Sequence, residues 1–360
     1  MSKIEFGIVG SGWRALFYLR IAKALPKWFA VRAMLIRNEE RAKEIEDEWG
    51  IKTYRDMESF ASSGPLAFAV VSVTREAAPS CILQLAERGI PVLTETPPAK
   101  EIPDMISLHQ SLCKLQGRVQ VAEQYLYQPM HAARIAFARS GKLGDISHVQ
   151  VSAAHGYHGI SLIRQLLGIG FENAVIRGQR FTSRIVKGPG REGLPDTEVI
   201  GDSVQDIVTL SFGDKLALFD FAGDQYHSWI RKNRIVIRGS HGEVTDKTFR
   251  YLRDFQTPVY GTFQRVDTGH NGNLEGYYHR GIVANDDWMY ENPFVPGRLS
   301  DDELAIATSL MKMAEYVQGG PPCYGLEEAL QDHYLALMMQ AAIESGEVVT
   351  TATQPWARYI

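Results

Sequence analysis

The sequence predicts an α/β protein with two parts: an N-terminal doubly wound parallel sheet, then an α+β domain carrying an open, mixed, mainly antiparallel sheet. Three observations lead there. The chain has 360 residues, 45% of them hydrophobic, enough for two separate cores at roughly 100 to 200 residues per domain. In the first third, short β-branched apolar runs alternate with helical patterns, the order of βαβ units. Beyond Pro129 that rhythm gives way to strands with one apolar face, as expected of antiparallel sheets covered on one side. The boundary is placed between residues 122 and 123.

In order, the first part reads as strand Ile4–Val9, helix Arg14–Leu25, strand Val31–Ile36, helix Glu39–Trp49, strand Leu66–Val73, helix Ala78–Arg88, strand Pro91–Thr94, helix Asp104–Leu115 and strand Arg118–Ala122. Pro26, Gly50 and Gly89 stand just past helix ends, where chain breakers belong. The second part reads as helix Met130–Ser140, strand Ile146–Ala154, short helix Ser161–Leu167, then strands Ala174–Ile185, Val204–Phe212, Lys215–Phe221 and Arg234–Arg238. Between them, Val186–Asp196 is punctuated by Gly188, Pro189, Gly190, Gly193 and Pro195 and reads as a mobile loop, a candidate lid. Tyr251–Phe294, rich in aromatic, Gly and Asn residues, gives only short strand signals. Two helices close the chain: Asp301–Val317, opened by the capping box Ser300-x-x-Glu303, and Leu326–Glu344, ended near Gly346.

A net charge of -4 supplies no basic field for a phosphate backbone or an anionic membrane, so neither nucleic acid nor membrane is an expected partner. The most apolar stretch, Leu66–Val73, is far short of the roughly 20 residues that span a bilayer. The start, from Met1 through a short polar lead into Ile4, shows no secretion signal. Cys81, Cys113 and Cys323 are too scattered for a disulfide framework or a zinc site. A cytoplasmic protein is expected.

The first strand runs into Gly10-Ser11-Gly12-Trp13-Arg14-Ala15, the G-x-G-x-x-A form of the dinucleotide fingerprint, and this makes the first domain a Rossmann fold. Gly10 permits the tight turn, Gly12 lets a diphosphate approach the backbone, and Ala15 allows close helix–strand packing, with the helix N-terminus supplying N–H donors and positive dipole. Ser11, Trp13 and Arg14 share that turn. An NAD enzyme places a carboxylate at the end of the second strand for the ribose 2′-hydroxyl. Here Ile36 and then Arg37 stand at that end, and no carboxylate occurs between Phe29 and Asn38. Arg37 therefore points to NADP, whose 2′-phosphate suits a guanidinium, with NAD as the alternative and a solvated surface arginine as the plainer reading.

Further along come Val71-Ser72-Val73-Thr74, Gly89-Ile90-Pro91-Val92-Leu93-Thr94-Glu95-Thr96-Pro97, Gln120-Val121-Ala122-Glu123-Gln124, Ser140-Gly141-Lys142-Leu143-Gly144, Leu166-Leu167-Gly168 and Tyr324-Gly325-Leu326-Glu327-Glu328-Ala329-Leu330-Gln331-Asp332. This collinear set resembles the glucose-fructose oxidoreductase, inositol dehydrogenase and rhizopine catabolism (Gfo/Idh/MocA) family across nearly the whole chain. The resemblance implies a Rossmann domain, a second domain on an open mixed sheet, NAD(P)-dependent oxidoreduction of sugars, cyclitols and their derivatives, and a homodimer or homotetramer formed through the open sheet face. It places Thr74, Glu95, Thr96 and Gln124 at the cofactor and Tyr125 at the substrate, with Tyr125 and its neighbour Tyr127 as core aromatics the plainer reading. Two departures stand out. The family's Glu-Lys-Pro lysine is Thr96, which neither carries charge nor titrates near neutrality. The Asp, Gly, His, Asp positions of its second motif are Ala154, Gly156, His158 and Ser161.

Removing a hydroxyl proton during hydride transfer needs a base within about 3 Å. His158 is the candidate, with His155 or Tyr157 orienting it, since an imidazole titrates near 6.5. The plainer reading is a cluster that only satisfies backbone at a turn. A metal held by His155 and His158 lacks an evident third ligand. Ser161 and His227, with Trp229, are further substrate-binding candidates. The expected function is an NAD(P)-dependent dehydrogenase or reductase acting on a small polyhydroxylated substrate, imine reduction being a variant. The alternative is a catalytically degenerate NAD(P)-binding sensor or partner protein.

Overall fold

The structure, a computed structural model, describes residues 3–191 and 193–358; Met1 and Ser2 of the polar lead, and Glu192 of the candidate lid, lie outside them. The first domain consists of β1 (Ile4–Val9), α1 (Trp13–Ala24), β2 (Phe29–Leu35), α2 (Glu39–Trp49), β3 (Thr53–Tyr54), α3 (Met57–Ala61), β4 (Ala69–Val71), α4 (Ala78–Ala86), β5 (Val92–Thr94), α5 (Ile102–Leu115) and β6 (Val119–Val121). All six strands are parallel, in the order β3-β2-β1-β4-β5-β6. Chain order reverses between β1 and β4, the switch point outside which such sheets bind ligands. Phe6, Ile8, Ala69 and Val70 are fully buried, as parallel strands covered on both faces must be. The pair β3 and α3 was not read from the sequence, and β4 is shorter than the run Leu66–Val73.

The second part comprises α6 (Pro129–Arg139), β7 (Ile146–Ser152), α7 (Gly156–Leu167), β8 (Val175–Val186), β9 (Ile200–Phe212), β10 (Lys215–Ala222), β11 (Arg234–Gly239), β12 (Gly242–Thr245), β13 (Thr248–Asp254), β14 (Thr257–His270), β15 (Asn273–Ala284), β16 (Asp287–Glu291), α8 (Asp301–Val317), α9 (Leu326–Ser345) and β17 (Val349–Thr350). Eleven strands form one sheet in the order β16-β15-β14-β13-β12-β11-β7-β10-β9-β8-β17. It is mixed: β7 and β10 run parallel while the other pairings are antiparallel. The segment 251–294, unreadable by inspection, supplies most of β13 to β16.

Helices α7 and α9 cover one face of this sheet, α7 against β7 and α9 against β8. The other face presents Phe181 and Leu216 at 54% and 40% exposure. Helix α7 starts at Gly156 rather than Ser161, so His158 sits in its first turn. Helix α8 returns to the first domain: Leu304, Ala307, Leu310 and Met313 are buried in one core with Phe6, Tyr18 and Ile21. Ser300 and Glu303 form the expected capping box at its start. Arg164 of α7, fully buried, pairs with Asp332 at 2.7 Å and Glu328 at 2.7 Å, and the Tyr324 hydroxyl donates to Asp332. The segment Tyr324–Asp332 thus ties α9 to α7. Among the described residues no helix is long and apolar enough to cross a membrane.

Candidate active site

The turn after β1 has the geometry its glycines foretell. Gly10 has φ +114, and a Cβ there would lie 2.1 Å from the Ser72 carbonyl oxygen. Gly12 N-caps α1 with no side-chain cap bond, no acidic residue occupies the first helical turn, and a Cβ on Gly12 would meet nothing within 4 Å. The helix N–H groups therefore face open space with no internal acceptor, which is what a diphosphate needs. Ala15 is fully buried against the sheet. The residues present fit a dinucleotide.

Around that turn, Ser11 offers its carbonyl to Arg41 at 3.5 Å. Arg37 is exposed just past β2, and Arg55 reaches back to the Ile36 carbonyl at 3.4 Å. Three guanidiniums thus gather at the end of β2; Arg41 and Arg55 escaped the sequence reading. Arg14 does not face the diphosphate position. Its Nε bonds Glu95 at 3.0 Å, Nη1 lies 3.5 Å from Asp302, and Tyr18 also donates to Glu95. Arg14 is therefore an anchor for Glu95, and these carboxylates hold its guanidinium charged despite burial. Thr74 is exposed and caps its own turn, its carbonyl accepting from the amides of Ala77 and Ala78. Thr96 is half-buried, and its bond to Pro97 is cis. Two buried polar atoms here lack partners among the described residues, Arg14 Nη2 and Gln124 Oε1.

Beside Gln124, past the end of β6, Glu123 is fully buried. One carboxylate oxygen accepts from the Tyr125 backbone N–H at 3.0 Å, and the other lies 2.6 Å from His158 Nδ1. A carboxylate only accepts, so it fixes the proton on Nδ1 and leaves Nε2 as the ring's basic nitrogen. Tyr125 stacks on His158 with centroids 4.4 Å apart and planes at 29°. The orienting partner of His158 is thus Glu123, not His155 or Tyr157. Nothing in the local sequence around His158 announces a residue 35 positions earlier; the one signal was a carboxylate directly ahead of Gln124.

His155 and Tyr157 meet the His158 ring edge-on at 4.9 and 5.2 Å. His155 Nδ1 is 2.6 Å from the Tyr226 hydroxyl, which also accepts from the His155 backbone N–H at 3.0 Å and is bonded by Tyr125. Burial, then the charges of His158 and Arg75, push His155 down to about 4, leaving its ring neutral at ordinary pH although one edge is exposed. Burial pushes Tyr226 and Tyr157 up. Tyr226, like Glu123, Arg41 and Arg55, was missed from sequence. Ser161 is fully buried and donates to the His158 carbonyl at 3.0 Å; its hydroxyl braces α7 rather than a substrate. His227 is exposed and lines a cavity of about 430 Å³ with Lys187, Asp202 and Asp224, a lining that does not include His158. The glycine-rich segment packs there, Gly188 lying against Ser228, and its tip brings the Arg191 guanidinium 4.6 Å over the exposed Trp13 ring.

The fingerprint turn and the parallel sheet agree with what comparison shows: residues 4–123 match the Gfo/Idh/MocA model, described as an oxidoreductase family with an NAD-binding Rossmann fold. The N-terminal domain is a Gfo/Idh/MocA domain. Its match ends at Glu123, the residue that links it to α7. Over the whole chain the fold is that of several solved structures. Levoglucosan dehydrogenase in complex with NADH has a TM-score of 0.72 at 14% identity, covering 98% of this chain and 100% of that one. An NAD-binding oxidoreductase from Klebsiella pneumoniae gives 0.70 at 13%, with the same coverage. An oxidoreductase domain protein from Kribbella flavida gives 0.70 at 15%, again covering 98% and 100%. At these identities the likeness is one of fold, and it spans both domains. No curated protein matches the sequence.

Proposed function

We propose that this protein is an NAD(P)-dependent oxidoreductase that moves hydride between the nicotinamide and a hydroxyl or carbonyl carbon of a sugar, cyclitol or related small polyol. The observation that carries the reading is the buried Glu123–His158 pair at 2.6 Å, set past the carboxyl end of β6, where Rossmann sheets place ligands. Bound there, the dinucleotide would supply the hydride chemistry. Gly10, Ser11, Gly12 and Trp13 hold its diphosphate through backbone N–H groups. Arg37, helped by Arg41, receives the 2′-phosphate and favours NADP over NAD. Glu95, fixed by Arg14 and Tyr18, shapes the nicotinamide end, and Gln124 Oε1 offers an acceptor to an amide N–H. His158 Nε2 takes the hydroxyl proton in oxidation and returns it in reduction, while Glu123 at Nδ1 stabilises the imidazolium. Tyr125 walls the ring, and uncharged Thr96 is left to hydrogen-bond a substrate hydroxyl. The open face of the large sheet, where Phe181 and Leu216 are exposed, pairs copies into a homodimer or homotetramer. The protein works in the cytoplasm, in line with its unpaired cysteines.

The test is nicotinamide absorbance across a sugar and cyclitol panel, with cofactor binding followed by calorimetry. His158→Ala should lower turnover by about a hundredfold or more with the NADP dissociation constant unchanged; full turnover would remove His158 from the mechanism. NADP should bind more tightly than NAD, and Arg37→Ala should erase the difference. Tighter NAD binding by the native protein would overturn the NADP assignment, and cofactor binding without turnover on any substrate would favour a sensor.

A further inference from the structure

The charges around the cleft do not balance. Its carboxylates are already matched: Glu95 with Arg14 and Tyr18, Asp302 with Arg14 and Gln128, Glu123 with His158, and Glu76 with Lys100 at 3.5 Å. Two guanidiniums at the rim have no carboxylate partner among the described residues. Arg75 lies beside Thr74 in the turn between β4 and α4, on the dinucleotide-binding domain, and is exposed. Arg191 comes from the second domain, on the turn closed by the Gly190–Gly193 backbone pair, and is also exposed. They meet neighbouring turns from opposite domains: Arg191 lies over Trp13 of the turn after β1, and Gly10 of that turn packs against Ser72, three residues before Arg75. The charge of Arg75 is felt at His155, and that of Arg191 at Tyr226, and these two side chains are bonded to each other at 2.6 Å.

Arg191 is held in a way that suits recognition. A guanidinium lying over an indole uses its flat face, 4.6 Å from the Trp13 centroid, and keeps its in-plane N–H donors for a bidentate oxyanion. The uncharged Thr96 leaves this positive charge at the rim rather than at the nicotinamide, so it acts on recognition and not on proton transfer.

We propose that the substrate of this cleft is acidic, a sugar or polyol derivative bearing a carboxylate or phosphate, and that Arg191 and Arg75 receive its oxyanion beside His155 and Tyr226. This rests on the oxidoreductase reading of the same cleft and names the substrate class that reading leaves open. The oxyanion supplies the missing counter-charge, and hydrogen bonds between ionised partners give it both affinity and orientation. The anchored end then sets which carbon lies before His158.

The experiment is calorimetry on the full chain saturated with NADP, using acidic and neutral probes of matched skeleton: D-gluconate beside D-glucitol, and D-glucose 6-phosphate beside D-glucose. An acidic member should bind about tenfold or more tightly than its neutral counterpart, less so as salt is added. Arg191→Gln and Arg75→Gln should each remove about tenfold of that affinity while leaving neutral probes and NADP within about twofold. Both side chains are exposed, so neither change disturbs a core. Preference for gluconate assigns a carboxylate, and preference for the phosphate ester assigns a phosphate. Equal affinity within both pairs, no binding by any of the four, or a preference that survives in both variants overturns the proposal. So does a loss confined to NADP in Arg191→Gln, which would give that side chain to the cofactor. Binding is read without turnover, so the two readings fail separately. An acidic ligand bound but never oxidised removes the enzyme and keeps this site, whereas neutral sugars turned over unchanged by both variants do the reverse.

Discussion

A carboxylate with no solvent exposure, 2.6 Å from an imidazole, is coupled to it far more strongly than a surface pair, because water does not screen the contact. Glu123→Gln keeps the shape and one hydrogen bond but removes the charge that stabilises the imidazolium. Turnover should fall by about a hundredfold while the NADP dissociation constant holds, measured by steady-state rates and calorimetry on the same preparation. Native-like turnover in that variant would make Glu123 a structural residue. His158 was legible from its place in a turn that resembles a family motif; Glu123 was not, because pairing across 35 positions is set by where β6 ends and α7 begins. Arg14 misled for a similar reason. Its position beside the fingerprint suggests a phosphate ligand, and only the packing of α1 against α8, with Glu95 just past β5, turns it toward Glu95 and Asp302.

At the scale of elements, the helices and parallel strands of the first domain were readable because burial on both faces leaves continuous apolar runs bounded by Gly and Pro. The strands β14 to β16 were not. Tyr260 at 71% exposure, Trp288 at 44% and Tyr277 at 43% put large aromatic rings on solvated positions and blur the inside–outside alternation on which strand recognition depends. The α7–α9 junction shows the opposite case, a polar device in a dry place. Burial lifts the Asp332 carboxyl to about 7 although Arg164 and Tyr324 pull it down, and Arg164 reaches no solvent at all. Asp332→Ala would strand that guanidinium, so the variant should lose about 3 to 5 kcal/mol of stability in urea unfolding. A loss below about 1 kcal/mol would mean Glu328 and the Gly170 carbonyl suffice for Arg164.

For the molecule as a whole, five histidines, His131, His148, His155, His279 and His333, are held below the ordinary imidazole value, each mainly by burial, with His131 down to about 3. As pH falls through 6.5 the unfolded chain takes up these protons and the folded one does not, so stability present above about 6.5 drains away toward pH 4. Asp332 works the other way, gaining its proton first in the folded state between about 7 and 3.8, but it is one group against five. The urea midpoint should therefore be lower at pH 5 than at pH 7.5; an equal or higher midpoint would contradict the burial of these rings. The proposed assembly is also a whole-molecule property. Light scattering should show a dimer or tetramer, and Phe181→Glu with Leu216→Glu should yield monomers that still bind NADP; a monomeric native protein would refute it.

Helix α8 adds a constraint on how the chain can be made. The first domain lacks one wall of its own until Leu304, Leu310 and Met313 arrive beside Tyr18 and Phe6, and those residues leave the ribosome long after β6. The nucleotide-binding half is begun first and finished late, so a fragment ending at β6 would leave the ribosome with a greasy gap along α1, inviting chaperones, and a transplanted copy of that half would have to bring the distant helix with it.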